Sequence, residues 1–457
     1  MLQEHRRPHV CMISLGCAKN LADSETILGQ IVSAEPRAIV CQEPGNADIV
    51  VVNTCGFLEA ARNEADAVLS DLEQSSAATG RIRKIVAVGC YPQLWRNRVL
   101  RRHPGLYAVM GTDALYRQDF WKDLLAKMPA DAGDRFCVNT GIIRRFEAPR
   151  VLSGGGAYAY LKIGDGCSQH CTYCTIPRIK GPLVSRTIDT VVHEADGLIR
   201  AGATELILVA QNTSAYGRDL NPAHRSLLPD LLKELDSLRD VRVLRLLYLY
   251  PTMITRGLLE TIRDSHHIAH YVDIPLQHTD SVVLKAMGRP WSSSSTVGLV
   301  QQVREIVPDV AVRSTFIVGF PGETETQFQH LLKDLPVLRL DHASAFTYSR
   351  ERLASSYGFS RQVCGSTKAR RRREFMERQQ QISLSINRER YTGKTVPVIV
   401  DYIGTTAITG RTLLDAPDID NVVTLNIRKG VPLPSIGDVC QASISEIGPY
   451  DLKGMLA

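Results

Sequence analysis

No apolar run in these 457 residues is long enough to span a bilayer. The opening, MLQEHRRPHVCMISLGC, lacks the apolar core and small-residue cleavage site of a secretory signal. There is no internal repeat and no long low-complexity segment, which argues against solenoid and disordered classes. The glycine-bearing stretch GFPGETE is not a GxGxxG dinucleotide fingerprint. What remains is an ordinary globular composition, 44% hydrophobic and 22% charged. The length allows about two to four domains, each with a core of its own. A net charge of +6 permits an anionic partner without requiring one. Cysteine is plentiful, but the 11 are odd in number and spread along a large chain, which points to a reducing cytoplasm and to metal rather than disulfides.

Three regions separate. Over residues 8–145, buried strand-like runs (HVCMISLGC, ADIVVVNTCGF, KIVAVGCYPQ) alternate with helical patterns, as in an open α/β sheet. The stretch APRVLSGGGAY reads as a linker. A second strand–helix series over residues 157–365 suggests a barrel or partial barrel. A charged helical linker covers 366–390, and 391–457 reads as a small β-barrel module.

The stretch GDGCSQHCTYCTIP carries Cys167, Cys171 and Cys174 in a CxxxCxxC spacing, directly after the first strand of the barrel series. Structural zinc wants a closed set of four ligands, and no second CxxC or CxxH pair lies nearby. Three thiolates on a cubane leave one iron open for chemistry. Barrel sites gather at the C-terminal ends of strands, where this loop falls. Cys17, Cys55 and Cys90 each fall just past a strand of the first region, the edge at which open α/β sheets collect ligands. On position alone they are equally well three buried small hydrophobes. Cys11, Cys41, Cys137, Cys364 and Cys440 lack such placement and read as core thiols.

CSQHCTYC, with an aromatic before its last cysteine, resembles the signature of radical S-adenosylmethionine enzymes. Joined to a three-cysteine N-terminal region and a C-terminal β module, it resembles the methylthiotransferases. The motifs SLGCAKNLADSE, VVNTCGFLEAA, YLKIGDGC, KGPLVSR, DIPLQH and RSTFIVGFPGETE are similar to those of the RimO branch, over essentially the whole chain. Asn212 departs from the Asp usual there and is similar to the sister branch, MiaB, which modifies tRNA. The resemblance implies two [4Fe–4S] clusters, one on Cys167, Cys171 and Cys174 and one on Cys17, Cys55 and Cys90, with S-adenosylmethionine as cosubstrate. It implies insertion of sulfur and a methyl group at the β-carbon of an aspartate in a basic small-subunit ribosomal protein, free or in the ribosome. Flavodoxin or ferredoxin would supply electrons. The alternatives are a tRNA adenosine methylthiotransferase and a non-catalytic iron–sulfur protein.

Other residues have two readings each. Tyr173 stands where the family places an aromatic near adenine, or simply packs. Gln211 and Asn212 end a strand and face cofactor or core. Arg313 either pairs a carboxylate of cofactor or substrate, or forms a barrel salt bridge. His278 faces the cavity or is structural. Arg370 to Arg373 form a solvated helix face or meet ribosomal RNA. Asp415, Asp418 and Asp420, with Asp438, Glu446 and Asp451, are expected to attract a basic protein loop or to keep the barrel soluble. No side chain is singled out as acid, base or nucleophile.

Overall fold

Alternate residues of a strand point to opposite faces, so a strand apolar at every position needs cover on both. Ile49 and Val51 pack with Val86 and Val88 in one buried cluster, and Val50 and Val52 pack with Ile85 and Ala87 in another. These strands lie in the first sheet of a computed structural model that describes residues 7–112, 117–126, 136–138, 148–154, 157–289, 291–427 and 432–457. Its strands are β1 (His9–Ser14), β2 (Ile39–Cys41), β3 (Ile49–Thr54), β4 (Lys84–Gly89), β5 (Ala108–Met110) and β6 (Phe136–Val138). They run parallel in the order β2-β1-β3-β4-β5-β6. Helices α1 (Ala18–Ala34), α2 (Glu59–Thr79), α3 (Cys90–Arg102) and α4 (Gln118–Ala126) connect them. This is the open α/β layer that the sequence predicts.

By compactness the chain forms two units. The first is Met1–Ser153 together with Asp165–Gln169 and Cys174–Arg186; the second is Gly154–Gly164, His170–Tyr173 and Thr187–Ala457. In the first unit the linker is fixed to α1: Glu25 accepts from the Arg150 guanidinium (2.9 Å at Nε) and from the Ser153 amide (2.9 Å). Gly29 leaves room for this, since a Cβ there would lie 2.0 Å from the Pro149 carbonyl oxygen.

The second unit begins with β7 (Tyr158–Lys162). Past two short strands, β8 (Gly164–Asp165) and β9 (Val184–Ser185), the latter within the first unit, come β10 (Glu205–Val209), β11 (Val243–Leu246), β12 (Ile268–Asp273), β13 (Ala311–Val318) and β14 (His342–Thr347). Strands β7 and β10 to β14 form a parallel sheet in which chain order is spatial order, the wall of an open α/β barrel. The helix Gly365–Tyr391 follows, its Phe375 ring 5.1 Å from that of Phe316 on β13. Strands β15 (Thr395–Ile403), β16 (Ala407–Thr412), β17 (Val423–Asn426), β18 (Val439–Ile447) and β19 (Leu452–Leu456) close a small barrel.

Charge alone led us to expect the acidic loop between β16 and β17 to face outward, but its Asp415 and Asp420 turn into the fold. It plugs the N-terminal ends of the large barrel's strands. Asp420 takes the Tyr271 hydroxyl at 2.7 Å and Arg313 Nε at 3.2 Å. Asp418 takes the hydroxyls of Tyr158 (2.8 Å) and Tyr160 (3.1 Å). Asp415 lies 3.2 Å from His342 Nε2. Beneath them Glu205 binds Arg245 at 2.7 Å and also pairs with Arg411. The remaining acids are engaged too: Asp438 with Arg242 and Glu446 with Lys453, while Asp451 accepts from the Val422 amide. Buried carboxylates need such partners, and Glu205, Asp415 and Asp420 find theirs within the fold.

Candidate functional site

Strands β1, β3 and β4 are neighbours, so the residues that follow them share one sheet edge. Cys17 caps α1, Cys55 follows Thr54, and Cys90 opens α3. Their loops abut closely. A Cβ on Gly16, whose φ of +100° also favours glycine, would lie 2.7 Å from the Cys55 Cβ; one on Gly56 would lie 2.6 Å from the Cys90 carbonyl oxygen. Asn53 fixes the arrangement by donating to the Asn20 carbonyl (2.9 Å) and the Ser24 hydroxyl (3.0 Å). Cys17 is exposed, Cys55 half-buried and Cys90 buried. Burial pushes the Cys55 thiol up and the Cys90 thiol up to about 12, the latter opposed by the nearby Lys180 ammonium. Thiols this buried become good anionic ligands only opposite a cation, which an iron cluster supplies.

Among the described residues no three His, Cys, Asp or Glu side chains surround a single metal ion. A cubane spreads its thiolates over separate irons and calls for a wider set. In the second cysteine group, the Cys167 sulfur accepts from the Gln169 amide and the Cys174 sulfur from the Ile176 amide, each at 3.4 Å. Such N–H···S bonds tune iron–sulfur centres. Within the second unit, the Thr172 amide donates to the Met287 carbonyl at 3.0 Å. Gly288, at φ +72°, would bring a Cβ to 2.7 Å from the His170 carbonyl oxygen, so the chain passes there only as glycine.

The strand-end candidates divide. Tyr173 is half-buried against Val283, Met287, Phe320 and Tyr348. Gln211 and Asn212 follow the C-terminal end of β10; Asn212 is buried, accepts from the Ser214 hydroxyl at 2.9 Å and donates to the Met253 sulfur at 3.4 Å. Arg313 is third in the eight residues of β13, toward its N-terminal end, and its guanidinium binds Asp273 and Asp420, each at 3.2 Å. His278 is fully buried and structural: Nδ1 accepts from the Asp280 amide at 2.9 Å, leaving Nε2 to face Glu323 at 3.8 Å. The GFPGETE turn closes on itself, its Gly319 and Phe320 amides both donating to Glu323. Arg370, Arg371 and Arg372 bind Glu325, Glu323 and the Ala345 carbonyl, so most of the basic run braces the fold. Cys364 is exposed at the start of its helix rather than in a core, and the side chain of Cys137 lies outside the described residues.

Two buried cations were not singled out by the sequence reading. Arg289 donates to the Pro275 carbonyl at 2.6 Å and lies 4.8 Å from the Tyr250 ring centroid and 5.9 Å from that of Tyr173. Lys180 is held by Asp23 and Asp165. The available signals were weak: an arginine between Met287 and Trp291, and a lysine before Gly181.

Three family profiles match the chain: the radical SAM superfamily over residues 161–335, uncharacterized protein family UPF0004 over 9–111, and the TRAM domain over 392–456. The ribosomal protein uS12 methylthiotransferase RimO of Thermoanaerobacter sp. is 36% identical over 98% of this chain and 99% of its own. That of Desulforudis audaxviator is 38% identical over 97% of this chain and 96% of its own. Among solved structures, the radical S-adenosylmethionine methyltransferase TsrM from Kitasatospora setae, with cobalamin and a [4Fe-4S] cluster bound, has a TM-score of 0.53 at 15% identity, covering 77% of each chain. The cobalamin-dependent radical enzyme OxsB has a TM-score of 0.52 at 13% identity, over 81% of this chain and 56% of its own. These two share the fold. The full-length relatives settle the family: the chain belongs to the RimO methylthiotransferases and is a radical S-adenosylmethionine enzyme that uses an iron–sulfur cluster.

Proposed function

We propose that this enzyme carries two [4Fe–4S] clusters and methylthiolates the β-carbon of an aspartate in ribosomal protein uS12. Cys167, Cys171 and Cys174 hold one cluster, and Cys17, Cys55 and Cys90 hold the other. The observation that carries the two-centre reading is the edge formed by β1, β3 and β4, which sets three thiols from distant parts of the sequence side by side. The substrate follows from the names of the full-length relatives, which do not favour the tRNA reading. When bound, S-adenosylmethionine and the clusters supply the one-electron and sulfur chemistry that no side chain offers.

The chain's own residues bind and orient. Tyr173, braced by Arg289, gives the cofactor a flat wall, and Gln211 and Asn212 line the strand end that meets it. Arg313 we assign to the strut beneath the site, because two of its guanidinium nitrogens are committed to carboxylates. The reading places the protein in the cytoplasm, with flavodoxin or ferredoxin as reductant. Among the described residues no helix is long and apolar enough to cross a membrane.

The test is an iron count with two cysteine variants. Two four-iron clusters give about eight irons per chain after anaerobic reconstitution. Replacing Cys167, Cys171 and Cys174 with Ala should halve the iron and abolish cleavage of S-adenosylmethionine. Replacing Cys17, Cys55 and Cys90 with Ala should halve it as well, preserve cleavage, and remove the methylthio product on uS12. Full iron in either variant rejects the corresponding ligand set.

A further inference from the structure

Lys180 ends the short helix α5 (Ile176–Lys180) and is 5% exposed. Its Nζ lies 3.2 Å from Asp23 Oδ2 and 3.1 Å from Asp165 Oδ2. A lysine almost never buries its charge without partners, and desolvation alone would favour the neutral amine. Two carboxylates at salt-bridge distance offset that cost and hold the group as an ammonium. Helix α5 packs on α3, whose first residue is Cys90, so the ammonium at the end of α5 belongs to the same packed layer as that thiol. Two of its N–H donors serve the carboxylates, which fix the ammonium in place. Asp23 stands on α1, the helix that Cys17 caps. The cation is therefore tied to the elements that carry two of the three thiols at the sheet edge.

We propose that Lys180, oriented by Asp23 and Asp165, is a positioning residue for the centre on Cys17, Cys55 and Cys90, where it holds an anionic sulfur ligand such as hydrosulfide or an alkanethiolate. This rests on the assignment of those cysteines to a cluster. Three thiolates and a sulfide make a strongly anionic site, and a fixed ammonium in a low-dielectric surround favours both the bound anion and the reduced, more negative state of the cluster. An anion bound at an exposed iron without that cation would depend on the iron alone.

The experiment uses the reconstituted full chain. The signal of the second centre is identified by electron paramagnetic resonance as the one that survives replacement of Cys167, Cys171 and Cys174 by Ala. Lys180→Met should keep the iron, bind hydrosulfide or methanethiolate about tenfold more weakly, and make reduction about tenfold harder, a shift of about 59 mV to lower potential. Lys180→Arg, which keeps the charge, should restore most of both. Asp165→Asn removes an anion while leaving the lysine and should move the potential the opposite way, so the test stands even if Lys180→Met folds poorly. An unchanged potential and sulfide affinity in Lys180→Met and Asp165→Asn, with iron retained, overturns the role of Lys180. Absence of any surviving cluster signal in the Cys167, Cys171 and Cys174 variant overturns instead the ligand assignment beneath it.

Discussion

Arg289 is 5% exposed, yet it faces rings rather than carboxylates. Its guanidinium lies over Tyr250 and Trp291, with centroids at 4.8 and 5.2 Å, and donates to the Pro275 carbonyl. Ring quadrupoles attract a desolvated cation, and the carbonyl would be left unsatisfied without it. Arg289→Met keeps most of the volume but removes both terms, and should cost about 2–3 kcal/mol. Arg289→Lys should recover only part, because an ammonium neither stacks nor forks. Urea unfolding of the three proteins measures this; equal midpoints would mean that the rings merely pack around an alkyl stem. Arg289 was hard to read from sequence because its partners come from four separate stretches. The six cysteines proposed as cluster ligands were easier to single out: each sits just past a predicted strand or in one tight loop, although position alone leaves Cys17, Cys55 and Cys90 equally well as buried hydrophobes. Arg313 shows the limit between the two. Its residue type suggests a carboxylate, of cofactor or substrate or of the barrel itself; the partners found are Asp273 and Asp420, and alternation along β13 does not say which end of the barrel they occupy.

The loop from Leu413 to Asn421 has the same lesson at the scale of an element. Its acids invite an electrostatic docking model so long as the loop is read as the rim of a small barrel. What the sequence could not show is that β7, β11, β12, β13 and β14 present tyrosines, arginines and a histidine to the same loop. One of these gives a titration. Burial disfavours charge on His342, but Asp420 and Asp415 outweigh it and raise its pKa from the usual 6.5 to about 9. A raised folded-state value means that the stabilisation is fully present below about pH 6.5 and is lost as pH rises through about 9. The shift is worth about 3 kcal/mol in order of magnitude. Wild type should therefore lose denaturant resistance between pH 6.5 and 9.5. His342→Gln should start lower and lose much less, and neither should respond strongly to salt because the pair is shielded. An equal fall in both proteins would remove His342 as the cause.

At the scale of the whole molecule, composition divides the chain at the APRVLSGGGAY linker, whereas compactness divides it again within the cysteine loop. Asp165–Gln169 and Cys174–Arg186 are grouped with the N-terminal sheet, although they follow the first barrel strand in sequence. The reason is local: Lys180 binds Asp23, α5 packs on α3, and the Cys167 amide donates to the Gly181 carbonyl at 3.0 Å. Cooperative units open together, so native-state hydrogen exchange can tell which unit governs this stretch. The amides of Cys167, Ile179 and Gly181, all hydrogen-bonded within the first unit, should share an opening free energy with β3 and β4 rather than with β10 and β11. Gly56→Val supplies the perturbation, since any Cβ there meets the backbone of Cys90 within 3.0 Å and must displace it. It should speed exchange at Cys167, Ile179 and Gly181 while leaving β10 unchanged. Acceleration confined to β3 and β4 would show that the cysteine loop opens on its own. The expected pattern instead means that the loop bearing Cys167 and Cys174 is held by the same sheet whose edge gathers Cys17, Cys55 and Cys90, so damage at one thiol set loosens the other through the backbone.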